Sequence, residues 1–284
     1  NCVDTDKSGN ERVAQYRMAT VDGLRWTCAL ELKKDNLARV LTYFYSVDCE
    51  GSERRHEWST ECHTLNLNLI KADTYRIFDK WIDIPEDSYL YSSVFTECVN
   101  RRKTAVVNPT AFAKTVRLVV RAPQLRGDQR LAVCGESDVL GAWNPAKAVP
   151  MYEHNFNEWI VDLNADAFED DVIEFKFVAL GSDEADPMWE TGLNRTVETM
   201  DLEDGEAVVY ELDQAFFELW NRKLAGTLVP LFSLRSETSF GVGDFGDLRK
   251  MIDWVAQTRQ RVLQLLPIND TTTTHTWTDS YPYS

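Results

Sequence analysis

Two tryptophans stand beside turn-forming or polar residues, where an aromatic ring can stay exposed and bind a ligand. Trp143 lies in a short segment bounded by Gly141 and Pro145, and Trp189 is followed by a run rich in polar side chains. A flat aromatic ring covers the apolar C–H face of a pyranose sugar, and neighbouring polar groups bind its hydroxyls. The two residues are therefore candidates for a carbohydrate-binding surface.

The strand between the two tryptophans supplies a polar side chain. Residues 172–177 alternate like a half-buried strand, which puts Lys176 on the face opposite the two phenylalanines. A single tryptophan in a β domain is more often part of the core, and Trp159, inside an alternating strand, is assigned there. For Trp143 the residues alone leave core packing and ligand stacking open.

The composition of the chain limits its partners. It has 284 residues, 44% hydrophobic and 27% charged, which is typical of a globular protein of two or three domains. The formal net charge of −16 argues against a nucleic acid or an anionic membrane surface and is compatible with a neutral polyol. No apolar run reaches the ~18 residues of a membrane span. We therefore predict no nucleic-acid and no membrane partner.

The cysteines and histidines show no metal-binding pattern. No CxxC pair occurs, and a few scattered thiols in a chain of this length are typical of the cytosol rather than of a disulfide framework. His63, His154 and His275 are interpreted as surface or packing residues. These observations predict a cytoplasmic protein with no metal and no cofactor. The cysteines are Cys2, Cys28, Cys49, Cys62, Cys98 and Cys134.

Two parts of the chain repeat one pattern. Glu57 follows Trp26 by 31 residues, and Glu190 follows Trp159 by the same interval. An aromatic, strand-like segment lies inside each interval. A repeat with an offset of about 133 residues indicates tandem copies of one domain. Short strands bounded by turn residues favour a β-sandwich for each copy.

The period of the pattern changes near residue 222. Residues 227–232 form a short, nearly all-apolar strand, and a glycine- and serine-rich loop follows. Asp244 then opens a helix whose apolar residues fall at helical spacing. A second apolar strand at 262–266 completes a strand–helix–strand order, which is typical of a parallel sheet or barrel.

We predict a mainly β fold, with two β-sandwich modules followed by the first βαβ part of an α/β, TIM-like barrel. The predicted boundaries are 1–112 for the first module with its linker, 113–212 for the second module and 213–284 for the barrel segment. The first module lacks a match to the strand at 115–121, and the last residues stop inside an aromatic–proline motif. The chain is therefore interpreted as a piece of a longer protein.

The order of residues around the two tryptophans resembles carbohydrate-binding module family 20, the starch-binding domain. The similarity covers residues 115–212 and includes Leu-Gly-x-Trp-Asn at 140–144 and Glu-Phe-Lys-Phe at 174–177. This resemblance implies that Trp143 and Trp189 stack on an α-linked glucose chain. It also implies three side chains that contact the sugar hydroxyls, namely Lys176, Glu190 and Asn194.

The first copy departs from that pattern. Phe44 stands at the position matching Lys176, and His56 at the position matching Trp189. Trp58 is a candidate stacking residue in a shifted register. The alternative is a module that packs against its neighbour and binds no sugar.

The C-terminal segment resembles the opening of a glycoside hydrolase family 77 barrel, the family of 4-α-glucanotransferases or amylomaltases. Tandem starch-binding modules ahead of such a barrel resemble the plant-type cytosolic disproportionating enzymes. The resemblance implies that Tyr283 lines the donor subsite. One departure is Arg259, which stands where the family usually has a helix-capping glycine. The similar stretches are residues 229–236, 240–248, 264–270 and 279–284.

The second resemblance implies retaining transfer of α-1,4-glucosyl units, with a carboxylate nucleophile and a carboxylic acid as acid/base. In that family both lie on later strands, so no catalytic residue is assigned and this chain is expected to be inactive alone. The predicted role is to bind starch, glycogen or maltodextrin for a 4-α-glucanotransferase. The alternatives are a non-catalytic glucan-binding or scaffolding protein, which has no use for the C-terminal segment, and an amylolytic hydrolase.

Overall fold

In a computed structural model, the chain divides into two compact units, Asn1–Glu218 and Leu219–Ser284. The structure describes residues 2–5, 11–32, 40–48, 50–51, 54–70, 72–102, 112–181, 187–218, 225–266 and 268. Most of their regular elements are β-strands. None of the helices in these ranges has the length and apolar character needed to cross a membrane.

The first unit is built of short strands joined by turns and short helical segments. The helical segments are Ser88–Tyr91, Val94–Val99, Asp138–Leu140, Pro145–Lys147 and Ala165–Ala167. The strands are β1 (Cys2–Thr5), β2 (Glu11–Ala14), β3 (Ala19–Thr20), β4 (Trp26–Thr27), β5 (Val40–Tyr43), β6 (Ser46–Val47), β7 (Arg55–His56), β8 (His63–Asn66), β9 (Thr74–Phe78), β10 (Lys114–Arg121), β11 (Arg130–Gly135), β12 (Val149–Pro150), β13 (Tyr152–Asn155), β14 (Glu158–Asn164), β15 (Val172–Leu180), β16 (Met188–Trp189), β17 (Arg195–Glu198) and β18 (Glu206–Glu211).

The strands from β10 to β18 form a β-sandwich of two sheets. One sheet has the order β13-β14-β10-β18 and continues into β9, and the other has the order β12-β11-β15-β16, with β17 also paired to β15. Strand β10 runs antiparallel to β14 and parallel to β18. Both sheets contribute fully buried side chains. These include Leu118, Val133, Trp159, Phe175 and Phe177. The prediction of a mainly β fold is confirmed.

The other face of the five-stranded sheet is covered by residues that precede the sandwich in the chain. Strands β2, β1, β5 and β8 form a four-stranded sheet. Its Leu41 and Leu65 lie in one buried cluster with Val119 and Ile160. Strand β9 also extends the five-stranded sheet by pairing in parallel with β18. The division into modules at residue 112 stays a prediction.

The repeat in the sequence is visible in the hydrogen bonds. The Glu190 amide donates to the carbonyl of Phe177 at 3.0 Å, and the Phe177 amide donates to the Glu190 carboxylate at 2.8 Å. Glu57 and Tyr45 make the same two bonds, at 3.2 and 2.6 Å. In both repeats, a buried glutamate therefore ties the loop that follows it to the central strand.

The equivalence does not extend to the first tryptophan of each repeat. Trp159 is 1% exposed and lies on β14, the strand between β10 and β13. Trp26 on β4 is 56% exposed, and β4 pairs with β3 over only two residues. Similar spacing in the sequence therefore places the two side chains in different surroundings.

A buried cluster of charged side chains lies where the two repeats meet. The His63 ring is fully buried, and its nitrogens contact Glu211 at 2.5 Å and Glu57 at 3.0 Å. Arg121 forms ion pairs with Glu211 and Glu158. Burial opposes protonation of His63, but the hydrogen bonds to the two carboxylates outweigh it and raise its pKa to about 10. His63 is therefore a cation that ties the two repeats together at neutral pH.

His63, Asp79 and Glu211 each place one potential metal-ligand atom within 4.8 Å of the others. Both ring nitrogens of His63 already contact carboxylates, so the imidazolium, rather than a metal ion, neutralises this cluster. The hydroxyls of Tyr43 and Tyr45 donate hydrogen bonds to Asp79 at 2.7 and 2.8 Å. Burial raises the pKa of Asp79 above its usual range.

Replacing His63 by glutamine is expected to destabilise the first unit in a pH-dependent way. The folded-state pKa of His63 lies above its ordinary value of 6.5, so its stabilising charge is fully present below pH 6.5 and is lost as the pH rises to about 10. The free energy of unfolding should therefore differ between parent and His63→Gln by a few kcal/mol near pH 6, and by much less near pH 10. Urea unfolding across this pH range measures the difference. A difference that does not change with pH contradicts the prediction.

The second unit is a strand–helix–strand segment. Strand β19 (Gly226–Val229) pairs in parallel with β20 (Val262–Leu265), and helix α1 (Phe245–Gln257) lies between them in the chain. A short helical turn, Leu231–Ser233, follows β19. Asp244 caps the helix with a reciprocal pair of hydrogen bonds to Asp247, so the helix begins where the sequence predicts. The sequence predicts one strand over residues 227–232, but the strand ends at Val229 because Pro230 leads into the helical turn.

Arg259 adopts the left-handed conformation that its position requires. Its φ is +59°, and its amide donates to the Ala256 carbonyl at 3.0 Å. A glycine would take this conformation without the steric cost of a Cβ atom. The helix therefore ends in the geometry typical of a glycine cap although the side chain is arginine.

Replacing Arg259 by glycine is expected to stabilise the second unit by about 1 kcal/mol, because it removes left-handed strain at an exposed position. The matched control is Ala256→Gly in the last turn of the helix, which should destabilise by about 1 kcal/mol because helical φ and ψ favour alanine. Thermal unfolding of the two variants measures both effects. Destabilisation by Arg259→Gly would show that the arginine side chain makes a compensating contact.

Candidate functional site

Trp143 is presented by a left-handed turn. Gly141, Ala142 and Trp143 have φ values of +86°, +49° and +58°. A Cβ atom on Gly141 would lie 2.9 Å from the carbonyl of Lys147, so glycine is required there. The amide of Trp143 donates to the carbonyl of Gly135 at the end of β11, at 2.8 Å. Two non-glycine residues in this conformation cost on the order of 1 kcal/mol each, which is typical of a segment shaped for function.

The chain after Trp143 is also fixed. The Asn144 side chain accepts a hydrogen bond from the Ala146 amide at 3.1 Å and caps the helical turn Pro145–Lys147. The indole ring is held between two rigid turns and remains half-buried. The ring therefore lies at the surface of the sandwich rather than in its core.

Trp189 lies beside Trp143. The centroids of the two rings are 6.2 Å apart, and the planes are inclined by 48°. Trp189 reaches this place because β16 pairs with β15, with Trp189 opposite Val178. Both rings are half-buried, so each keeps one accessible part. The structure thus brings together the two tryptophans that the sequence singled out 46 residues apart.

Lys176 lies on β15 near the two rings and holds the loop after Trp189. Its Nζ donates to the carbonyls of Glu190, at 3.3 Å, and Gly192, at 2.7 Å. An ammonium group carries three N–H donors. Among the described residues, one donor therefore remains for a ligand hydroxyl. The side chain is half-buried, and its two bonds to the loop fix its direction.

Glu190 faces the interior, and this changes its predicted role. Its side chain is 1% exposed. The carboxylate accepts hydrogen bonds from the Arg195 guanidinium at 2.8 to 3.1 Å and from the Phe177 amide. Arg195 in turn donates to the carbonyls of Asp213 and Gln214. The Glu190 carboxylate is therefore used inside the protein, and only its main-chain carbonyl faces Lys176.

Asn194 is exposed and is oriented by Glu174, which the sequence analysis does not identify. Its side-chain amide donates to the Glu174 carboxylate at 2.5 Å. Glu174 and Lys176 are two positions apart on β15 and project from the same face. That same-face spacing is the signal in the sequence that could have identified Glu174.

The remaining predicted residues lie elsewhere. Trp58 in the first repeat is half-buried, and its ring packs edge-on against Tyr91 with centroids 5.1 Å apart. Its amide donates to the carbonyl of Ile82. Tyr283 lies outside the described residues, so its predicted place at a donor subsite stays a prediction.

Two parts of the chain match known families, one containing the site and the other in the second unit. Residues 114–208 match the starch-binding domain model, and residues 229–284 match the 4-alpha-glucanotransferase model. Residues 114–208 are therefore a starch-binding domain, and residues 229–284 are part of a 4-alpha-glucanotransferase domain. Both resemblances found in the sequence are confirmed.

Two relatives show how much of a larger protein the chain represents. The 4-alpha-glucanotransferase DPE2 of rice, Oryza sativa subsp. japonica, is 31% identical over 292 residues, covering 97% of this chain and 28% of the rice protein. The 4-alpha-glucanotransferase of Chlamydia trachomatis serovar D is 47% identical over 58 residues, covering 19% of this chain and 11% of that protein. The matched part of the chain thus spans less than a third of either relative.

One solved structure in the comparison is the family 20 module of the maltotetraose-forming amylase from Pseudomonas saccharophila STB07. It is 18% identical and covers 34% of this chain and 99% of that chain, with a TM-score of 0.28. A TM-score this low supports no conclusion of its own.

Replacing Glu190 by glutamine is expected to lower the free energy of unfolding of the first unit by about 3 kcal/mol, because it leaves the Arg195 charge without its buried partner. The exposed Glu198, on the neighbouring strand β17, is the matched control, and Glu198→Gln should change stability by less than about 0.5 kcal/mol. Urea unfolding gives both values. An unchanged stability with lost glucan binding would instead restore Glu190 as a direct sugar ligand.

Proposed function

We propose that the starch-binding domain binds an α-glucan chain through Trp143 and Trp189, for a whole protein that acts as a 4-α-glucanotransferase. The observation that carries this proposal is the pair of inclined, half-buried indole rings, which lie 6.2 Å apart at the surface of the sandwich. Aromatic rings bury the C–H faces of sugars, and polar groups around them select the hydroxyl pattern. A glucan is also the partner that fits a chain with a net charge of −16, because it carries no charge to repel.

The inclination of the rings favours an α-linked glucan over a flat, ribbon-like polysaccharide. Two parallel coplanar rings would suit a straight, ribbon-like polysaccharide. Successive glucose units of an α-1,4 chain turn relative to one another, so two planes inclined by 48° can each face one unit. Lys176 bonds to the carbonyl of the residue after Trp189, and Asn194 bonds to Glu174 on the same strand as Lys176. In the proposal, the Lys176 ammonium and the Asn194 amide contact the sugar hydroxyls. We therefore assign starch, glycogen or maltodextrin as the ligand class.

The second unit supports the transferase part of the proposal. Its parallel β19–α1–β20 arrangement suits the first part of an α/β barrel. In such barrels the catalytic residues lie at the carboxyl ends of several strands. The reaction proposed for the whole protein is retaining: a carboxylate displaces the leaving sugar, and an acceptor hydroxyl then attacks the glucosyl–enzyme ester.

The proposed cellular site is the cytosol. Cys28, Cys62, Cys98 and Cys134 are free thiols in the described part of the chain. Free thiols of this kind persist in reducing compartments. Sugar binding by the first repeat is not part of the proposal, because Trp58 is packed against Tyr91.

Combined replacement of Trp143 and Trp189 by alanine is expected to weaken binding of β-cyclodextrin at least a hundredfold, because both stacking surfaces are removed. Isothermal titration calorimetry measures the affinity. Trp254→Ala, which removes an exposed indole of the second unit, is the control and should bind like the parent. Undiminished binding by the double variant would refute the site.

The same double variant tests the transferase proposal in the whole protein. Transfer of glucosyl units from maltose to a short maltooligosaccharide should keep its rate, since the catalytic residues are untouched. The KM for glycogen as acceptor should rise, because the docking surface is lost. A whole protein that releases glucose without forming longer glucans would be a hydrolase, and one that forms no product would be a non-catalytic binder.

A further inference from the structure

The polar groups around the two indole rings differ in how many of their hydrogen-bonding positions are already used. Both oxygens of Glu190 bond to Arg195, and one of them also accepts the Phe177 amide. Two of the three Lys176 donors bond to loop carbonyls. A sugar hydroxyl acts as donor and acceptor together, so a site that binds it tightly needs an acceptor as well as the remaining donor of Lys176.

Glu174 has the acceptor that the site requires. One of its oxygens, Oε1, accepts the Asn194 amide at 2.5 Å, and its other oxygen bonds to no group among the described residues. The side chain is half-buried and lies on the same face of β15 as Lys176. Charged acceptors form hydrogen bonds roughly twice as strong as neutral ones.

The backbone around Glu174 fixes its position relative to the first indole ring. Its carbonyl accepts a hydrogen bond from the Glu136 amide at 3.1 Å. The residue before Glu136 is Gly135, whose carbonyl holds the amide of Trp143. A Cβ atom on Gly135 would lie 2.3 Å from the Glu174 carbonyl, so the two strands approach more closely here than any other residue type permits. Glu174 and the turn that presents Trp143 are therefore held in one rigid arrangement.

We infer that Glu174 is the carboxylate of this site that accepts a sugar hydroxyl, and that it also orients Asn194 for a second hydroxyl. This inference rests on the proposed glucan-binding function. Glu174 acts in place of the side chain of Glu190, whose carboxylate is bonded to Arg195 and to the Phe177 amide. The pair of Glu174 and Lys176 then offers one acceptor and one donor on a single strand, next to two stacking surfaces.

Calorimetric titration of β-cyclodextrin into Glu174→Ala, Asn194→Ala and the double variant tests the inference. Glu174→Ala should weaken binding about tenfold, the value for a lost hydrogen bond to a charged group. In the Asn194→Ala background the same change should still weaken binding about threefold, because the direct hydroxyl contact remains to be lost. Glu169→Ala, at an exposed glutamate just before β15, is the control and should bind like the parent.

Each other outcome has a defined meaning. A loss of less than twofold in Glu174→Ala overturns the inference. No additional loss in the Asn194→Ala background overturns the direct contact and leaves Glu174 as a residue that positions Asn194. Urea unfolding of Glu174→Ala, and of Glu174→Gln, which keeps the shape of the side chain, separates a folding defect from a binding defect. If the variant of both tryptophans also binds like the parent, then the proposed site has failed and not only the assignment of Glu174.

Discussion

The buried carboxylate of Glu190 is the constraint on which the glucan-binding surface depends. It accepts the amide of Phe177 on the central strand and pairs with the Arg195 guanidinium. Arg195 extends this connection to the carbonyls of residues 213 and 214 and lies over the ring of Phe177. A charge removed from water is stable only when its partners are complete. The loop that follows Trp189 and carries Asn194 is therefore held by a network in which each member needs its partner.

The first repeat has an equivalent buried glutamate, but a different side chain pairs with it. Glu57 makes the same backbone bonds as Glu190, yet His63 takes the place of the arginine and also contacts Glu211 in the second repeat. In the second repeat the cation, Arg195, stabilises the loop. In the first repeat the cation, His63, instead links the two repeats. The same buried glutamate supports a ligand site in one repeat and a contact between the repeats in the other.

Rigidity is the common property of the groups around the sugar site. The left-handed turn at residues 141–143 costs conformational energy, which the surrounding hydrogen bonds offset. Lys176 is directed by two loop carbonyls, and Asn194 by Glu174. A pre-organised site loses less entropy when it binds a flexible chain such as a glucan. These features suit a surface that binds a polymer without changing its own conformation.

The sequence alone determined the mainly β class, the repeat, the helix cap at Asp244 and the two tryptophans, because alternation, spacing and local capping depend on neighbours in the chain. Tertiary structure decided which polar groups remain available for a ligand. The sequence motif selects Glu190, but only the fold shows that Arg195 and a backbone amide bond to its carboxylate. It also shows that one oxygen of Glu174 bonds to no other group in the described part of the chain. It also decided that Trp26 and Trp159, alike in spacing, differ in burial. Burial and hydrogen-bond satisfaction are set by strands distant in sequence, so no local pattern can reveal them.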